Sequence, residues 1–129
     1  MTTQYANLSD SQVKALLVAA SRFRRHPPQP YADWLARATA RTTAVPELIE
    51  IKNRAKGLLK IADARPDRDA ATLLYHAAVA AAFVHHAAAI SRRPMRRQLT
   101  IYKRFAAAWR GQPIGNLFHE AAIRLTERE

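Results

Sequence analysis

Apolar residues recur in steps of three and four along most of the chain, the period of a helix buried on one side. Val13, Leu16, Leu17, Ala20 and Phe23 form the first such stripe. Ser9-Asp10-Ser11-Gln12 precedes it as a capping box: the Ser9 hydroxyl accepts from the Gln12 amide, and the Gln12 side chain reaches back. Leu8 and Val13 stand at the staple positions, and Pro27-Pro28 ends the helix. Pro30 suits the first turn of a second helix, running to about Arg41 with Tyr31, Trp34, Leu35 and Ala38 inward. Pro46 opens a third, with Leu48, Ile51, Ala55, Leu58 and Ala62 inward. Pro66-Asp67 breaks it, and Asp67 or Asp69 can cap a fourth, Ala-rich helix over about 69–91. Ser91 and Pro94 mark the boundary before a fifth, which ends near Arg110. Gly111-Gln112-Pro113-Ile114-Gly115-Asn116 reads as a turn, and Asn116 can cap a short sixth helix.

No repeat, linker or composition break divides the chain. The expected architecture is all-α: one compact domain over residues 1–129, a bundle of five or six helices. The Ala-rich helix is expected at its centre. A helix that touches solvent keeps a polar face, and this one shows none after Asp69. Its small side chains let neighbouring backbones approach closely. Ala70 to Ser91 carries no formal charge and is long enough to cross a bilayer. Ten of its 22 residues are Ala, however, and His76, His85 and His86 lie within it. A buried helix is therefore the expectation, not a membrane span. The opening MTTQYANLSDSQ lacks a basic stretch followed by an apolar run, so a cytoplasmic protein is expected.

Composition sharpens this picture. Of 129 residues, 27 are Ala, 3 are Gly and none is Cys. The apolar share of 49% suffices for a core, and the lack of Cys excludes disulfides and thiolate chemistry. Lys and Arg number 21 against 10 Asp and Glu, a formal net charge of +11. An acidic partner is thus the first to consider.

Catalytic patterns are missing. There is no Gly-x-Ser-x-Gly, no Gly-rich phosphate loop, no His-x-x-x-His and no Glu-x-x-His. His76 and His85 fall half a turn apart on a helix, and His85 and His86 diverge. Glu47 and Glu50 share a face, but their place in a first turn is explained by the helix dipole. No enzyme, cofactor or metal site is expected.

The distribution of charge is more informative than its total. Residues 70–119 contain no Asp or Glu. The same window holds Arg92, Arg93, Arg96, Arg97, Lys103, Arg104 and Arg110. On a helical wheel, Arg96, Arg97, Lys103, Arg104 and Arg110 share an arc of roughly 140°, opposite Met95, Leu99, Ile101, Tyr102, Phe105, Ala106 and Trp109. With no acid among them to form i,i+4 pairs, these cations repel one another when unbound. Lys52, Lys56 and Lys60 make a second row in steps of four. Arg22, Arg24, Arg25 and His26 close the first predicted helix, where cations favour its dipole. The aromatics beside the cations lie on the apolar arc and are expected in the core, so base reading is not expected.

The run Arg92-Arg93-Pro94-Met95-Arg96-Arg97 and the arc after it belong to a small, basic, all-α chain without a catalytic site. Such a chain resembles the helical small subunit of CRISPR effector ribonucleoproteins, whose copies line the target strand and pack against one another. The resemblance covers size, class and charge, and it assigns no role to single residues. It implies RNA or single-stranded DNA as partner, with other protein subunits or further copies of the chain. The expected function is a non-enzymatic module binding nucleic-acid backbone with little sequence preference, through the seven cations of residues 92–110 and the three lysines. Two other readings compete: an adaptor docking an acidic protein, and a dimeric DNA-binding regulator built on a helix-turn-helix across Gly111.

Overall fold

The computed structural model describes residues 31–61, 65–92 and 95–127. The stripe from Val13 to Phe23, its capping box, the cluster at Arg22 to His26, Ala62 and Arg93 lie outside them. Five α-helices are described: α1 (Tyr31–Thr39), α2 (Val45–Ile61), α3 (Arg65–His86), α4 (Leu99–Ala108) and α5 (Pro113–Glu127). A single 3-10 turn, Met95–Gln98, leads directly into α4. No strand occurs among the described residues, and the helices pack as an all-α bundle.

The Ala-rich helix is its axis. Every residue from Ala70 to Val84 is buried, and α1, α2 and α5 all pack against α3. Leu48, Ile51 and Ala55 of α2 and Ala38 of α1 fill the near side of the core, with Trp34, Leu35 and Leu58 partly buried against it. The far side is joined by rings. His76 of α3 lies 6.4 Å from the Tyr102 ring and 6.1 Å from that of Phe105, both on α4. Phe118 of α5 then stacks obliquely on Tyr102 at 5.5 Å and on Phe105 at 5.1 Å.

Several boundaries differ from the sequence expectation. α2 ends at Ile61, before Pro66 and Asp67, which sit in the first turn of α3, where a missing N–H has no partner to lose; Asp67 and Asp69 thus lie within that helix and not at the position before it. The same helix stops at His86, five residues early. Ala87 adopts φ +52°, its N–H bonds the Phe83 carbonyl at 3.1 Å, and the Ala88 N–H reaches back to the Ala82 carbonyl at 3.0 Å. The Ala87 bond is an αL closure, made with Ala in the place usually held by Gly. The uncharged 22-residue window is therefore not one helix, and no described helix is long and apolar enough to cross a membrane.

Two side chains hold this end. The His86 Nε2 lies 2.8 Å from the Thr43 carbonyl in the α1–α2 loop. The Lys52 Nζ donates to the Ile90 carbonyl at 2.8 Å, tying the segment after α3 to α2.

The last two helices also differ. Asn116 does not cap a short helix; α5 already begins at Pro113, and the Asn116 N–H bonds the Gln112 carbonyl at 3.0 Å. Only residues 109–112 make the turn, with Gly111 at φ +84°. Gly115 faces Trp109 so closely that a Cβ there would lie 1.9 Å from the Trp109 carbonyl oxygen.

Candidate nucleic-acid interface

The cationic residues sit on a scaffold whose buried face matches the wheel. Met95, Ile101, Tyr102, Phe105 and Trp109 are buried, as the apolar arc predicts, while Leu99 and Ala106 are partly so. Arg92, Arg96, Arg97, Lys103 and Arg110 are exposed and Arg104 is half-buried. The geometry departs from a single helix at the start. In the 3-10 turn each residue advances about 120° and not 100°, so Arg96 and Arg97 shift around the axis relative to Lys103. Gln98, which falls on the apolar arc of the wheel, is turned inward and buried, a polar side chain at a core position.

The nine described cations fall into two groups. Lys52, Lys56 and Arg92 form a group of their own. Burial chiefly, then repulsion from Lys56 and Arg92, lowers the Lys52 pKa from its ordinary value. The hydrogen bond to Ile90 gives Lys52 a structural task, while Lys56 stays half-buried and Lys60 exposed beside it on α2. A second group follows from the 3-10 turn into α4: Arg96, Arg97, Lys103, Arg104 and Arg110. The two rows ride on different packing pairs, since α2 lies chiefly against α3 and α4 chiefly against α5.

The ion pairs described lie outside these groups. Among the described residues, Glu47 pairs with Arg37 at 3.7 Å, Glu50 with Arg54 at 3.4 Å and Glu120 with Arg124 at 2.9 Å. Arg54 also lies over the Trp34 ring at 5.8 Å. None of those arginines belongs to the expected interface. No described carboxylate forms an ion pair with Arg92, Arg96, Arg97, Lys103, Lys56 or Lys60. On the helix-turn-helix reading the second helix would present His119, Glu120 and Arg124 to a major groove, a thin set, and the last two of these pair with each other.

Between α4 and α5 lies an open cleft of about 320 Å³. Lys103 and Arg110 line it from α4 and the turn, Asn116 and His119 from α5, and Ala106, Ala107, Gly111, Gly115 and Ala122 form its walls. Sequence reasoning gives Asn116 a capping role and His119 a thin part in a major-groove helix. It misses their meeting with two of the cations. Gly115, His119 and Ala122 share one face of α5 by their spacing of four and three, but no local pattern brings that face to Lys103 and Arg110.

The central histidines take structural places. His76 is fully buried, and burial lowers its pKa to about 3, so it is neutral at physiological pH. His85 is lowered as well, by burial first and by Arg41, against the raising effect of Glu120 and a hydrogen bond at the Thr39 backbone. No three His, Asp or Glu side chains gather into a metal-binding group among the described residues.

The chain matches no family model, no curated protein and no solved structure.

Proposed function

We propose that this protein is a non-enzymatic module that binds nucleic-acid backbone with little sequence preference, as a subunit of a larger nucleoprotein complex. One observation carries the reading. The exposed Arg92, Arg96, Arg97 and Lys103 have no carboxylate partner among the described residues, in a stretch of 50 residues free of acid. Leaving like charges together raises the free energy of the unbound protein, and a polyanion relieves it while releasing its own counterions. Contacts of this kind fix position along a strand without reading bases. The contacts assigned are Arg92, Arg93, Arg96, Arg97, Lys103, Arg104 and Arg110, with Lys56 and Lys60 as a second row. RNA or single-stranded DNA is the favoured partner, in line with the resemblance to small subunits that line a strand.

The test is affinity for single-stranded RNA, single-stranded DNA and duplex DNA of unrelated sequences at low salt. Similar affinity across sequences supports the reading. Absence of binding to all three overturns it in favour of an adaptor that docks an acidic protein. Strong preference for one duplex sequence overturns it in favour of a DNA-binding regulator.

A further inference from the structure

We propose that the cleft between α4 and α5 is a nucleotide site, taking one nucleotide unit either free or unstacked from a single strand. The inference rests on the backbone-binding reading for its polymer arm and on the cleft itself for its free-ligand arm. Lys103 and Arg110, seven residues apart, stand at the cleft with no acid among its lining residues. A phosphate is the anion such a pair suits. The volume of about 320 Å³ equals that of about ten liquid waters, far more than a bare phosphate fills. It falls at the lower end of the range for small-molecule pockets.

The remaining lining fits the rest of a nucleotide. Ala106, Ala107, Gly111, Gly115 and Ala122 offer a low wall of methyl groups and backbone against which a flat ring can lie. Asn116 provides both a donor and an acceptor, and the His119 imidazole offers a ring face and a polar edge. At Gly115 the absence of a side chain is fixed by packing, since there is no room for a Cβ toward Trp109. A base in a duplex is paired and stacked and cannot enter, whereas an unpaired base can turn in. The cleft therefore adds a preference for single strands to an otherwise indifferent cationic surface.

The test uses adenosine monophosphate on the ¹⁵N-labelled protein, with inorganic phosphate as control, and then a single-stranded oligonucleotide and its duplex. The variant is Ala107→Trp, which fills the cleft from an exposed position and leaves the charge unchanged. The nucleotide is expected to shift the amides of Lys103, Ala107, Gly111, Asn116 and His119 well below the concentration at which phosphate does. Ala107→Trp should abolish those shifts and lower the ratio of single-strand to duplex affinity about tenfold. Cleft amides unmoved by the nucleotide overturn the site. So does a ratio unaltered in Ala107→Trp, with the backbone reading left standing. Conversely, a protein that responds to the free nucleotide and binds neither polymer keeps the site and loses the backbone reading.

Discussion

His76 shows how a single side chain can tie stability to pH. Its ring is enclosed by Tyr75, Tyr102 and Phe105, and burial holds its pKa near 3. The unfolded chain titrates at the ordinary value of 6.5. Below pH 6.5 the unfolded state takes up a proton that the folded state refuses. Stability is therefore full above pH 6.5 and falls as the pH drops toward 3, by about 1.4 kcal/mol per unit. Denaturant midpoints between pH 7 and pH 5 should record a loss of about 2 kcal/mol. His76→Phe should remove most of that slope, and an unchanged slope would place its origin elsewhere. Gly115 makes a different point at the same scale. Its place in a predicted turn suggests conformational freedom, yet it lies within α5 and matters for its size. Gly115→Ala should lower stability by about 3 kcal/mol in thermal melts, because the backbone of Trp109 must move. Gly111→Ala, at φ +84° with open space around it, should cost about 1 kcal/mol.

At the scale of the element, α3 is the most legible part of the chain. A run with no polar face after Asp69 has few places to go but the middle of a bundle, and Ala77, Ala78, Ala80, Ala81 and Ala82 are all fully buried. Ala81→Asp should therefore unfold the protein or lower its melting temperature severely, since it buries an unpaired carboxylate. A neutral outcome would contradict the central placement of α3. The ends of the helices are less legible. Pro66 marks the break between α2 and α3 but not its exact place: it stands inside the first turn of α3, which tolerates proline. The stop at His86 has no glycine to announce it. It is set by tertiary ties, His86 to Thr43 and Lys52 to Ile90, which a local pattern does not carry. The same applies to the 3-10 turn at Met95–Gln98, where Gln98 and Met95 are both drawn inward at a spacing of three.

For the whole molecule, the sequence makes the excess of charge visible and its separation from the core correct, but not its division. A wheel treats one helix at a time. It leaves Arg92 with the cations of the fifth predicted helix, whereas Arg92 acts on Lys52 and joins the α2 group. It also has no means of showing that Lys103 and Arg110 share a cleft with Asn116 and His119, which depends on how α4 and α5 cross. What remains in common is that most of these cations are exposed, and that Glu47, Glu50 and Glu120 are engaged with arginines outside the group. The central claim is that this surface binds phosphates by releasing counterions. Its most direct test is the salt dependence of binding to a single-stranded oligonucleotide, for the natural protein and for a variant combining Arg96→Ala, Arg97→Ala and Arg104→Ala. The account predicts that the logarithm of affinity falls linearly with that of salt concentration. The variant's slope should be shallower by about 2 to 3, because three phosphate-neutralising side chains have been removed. Equal slopes for the two proteins, or affinity indifferent to salt, would contradict it.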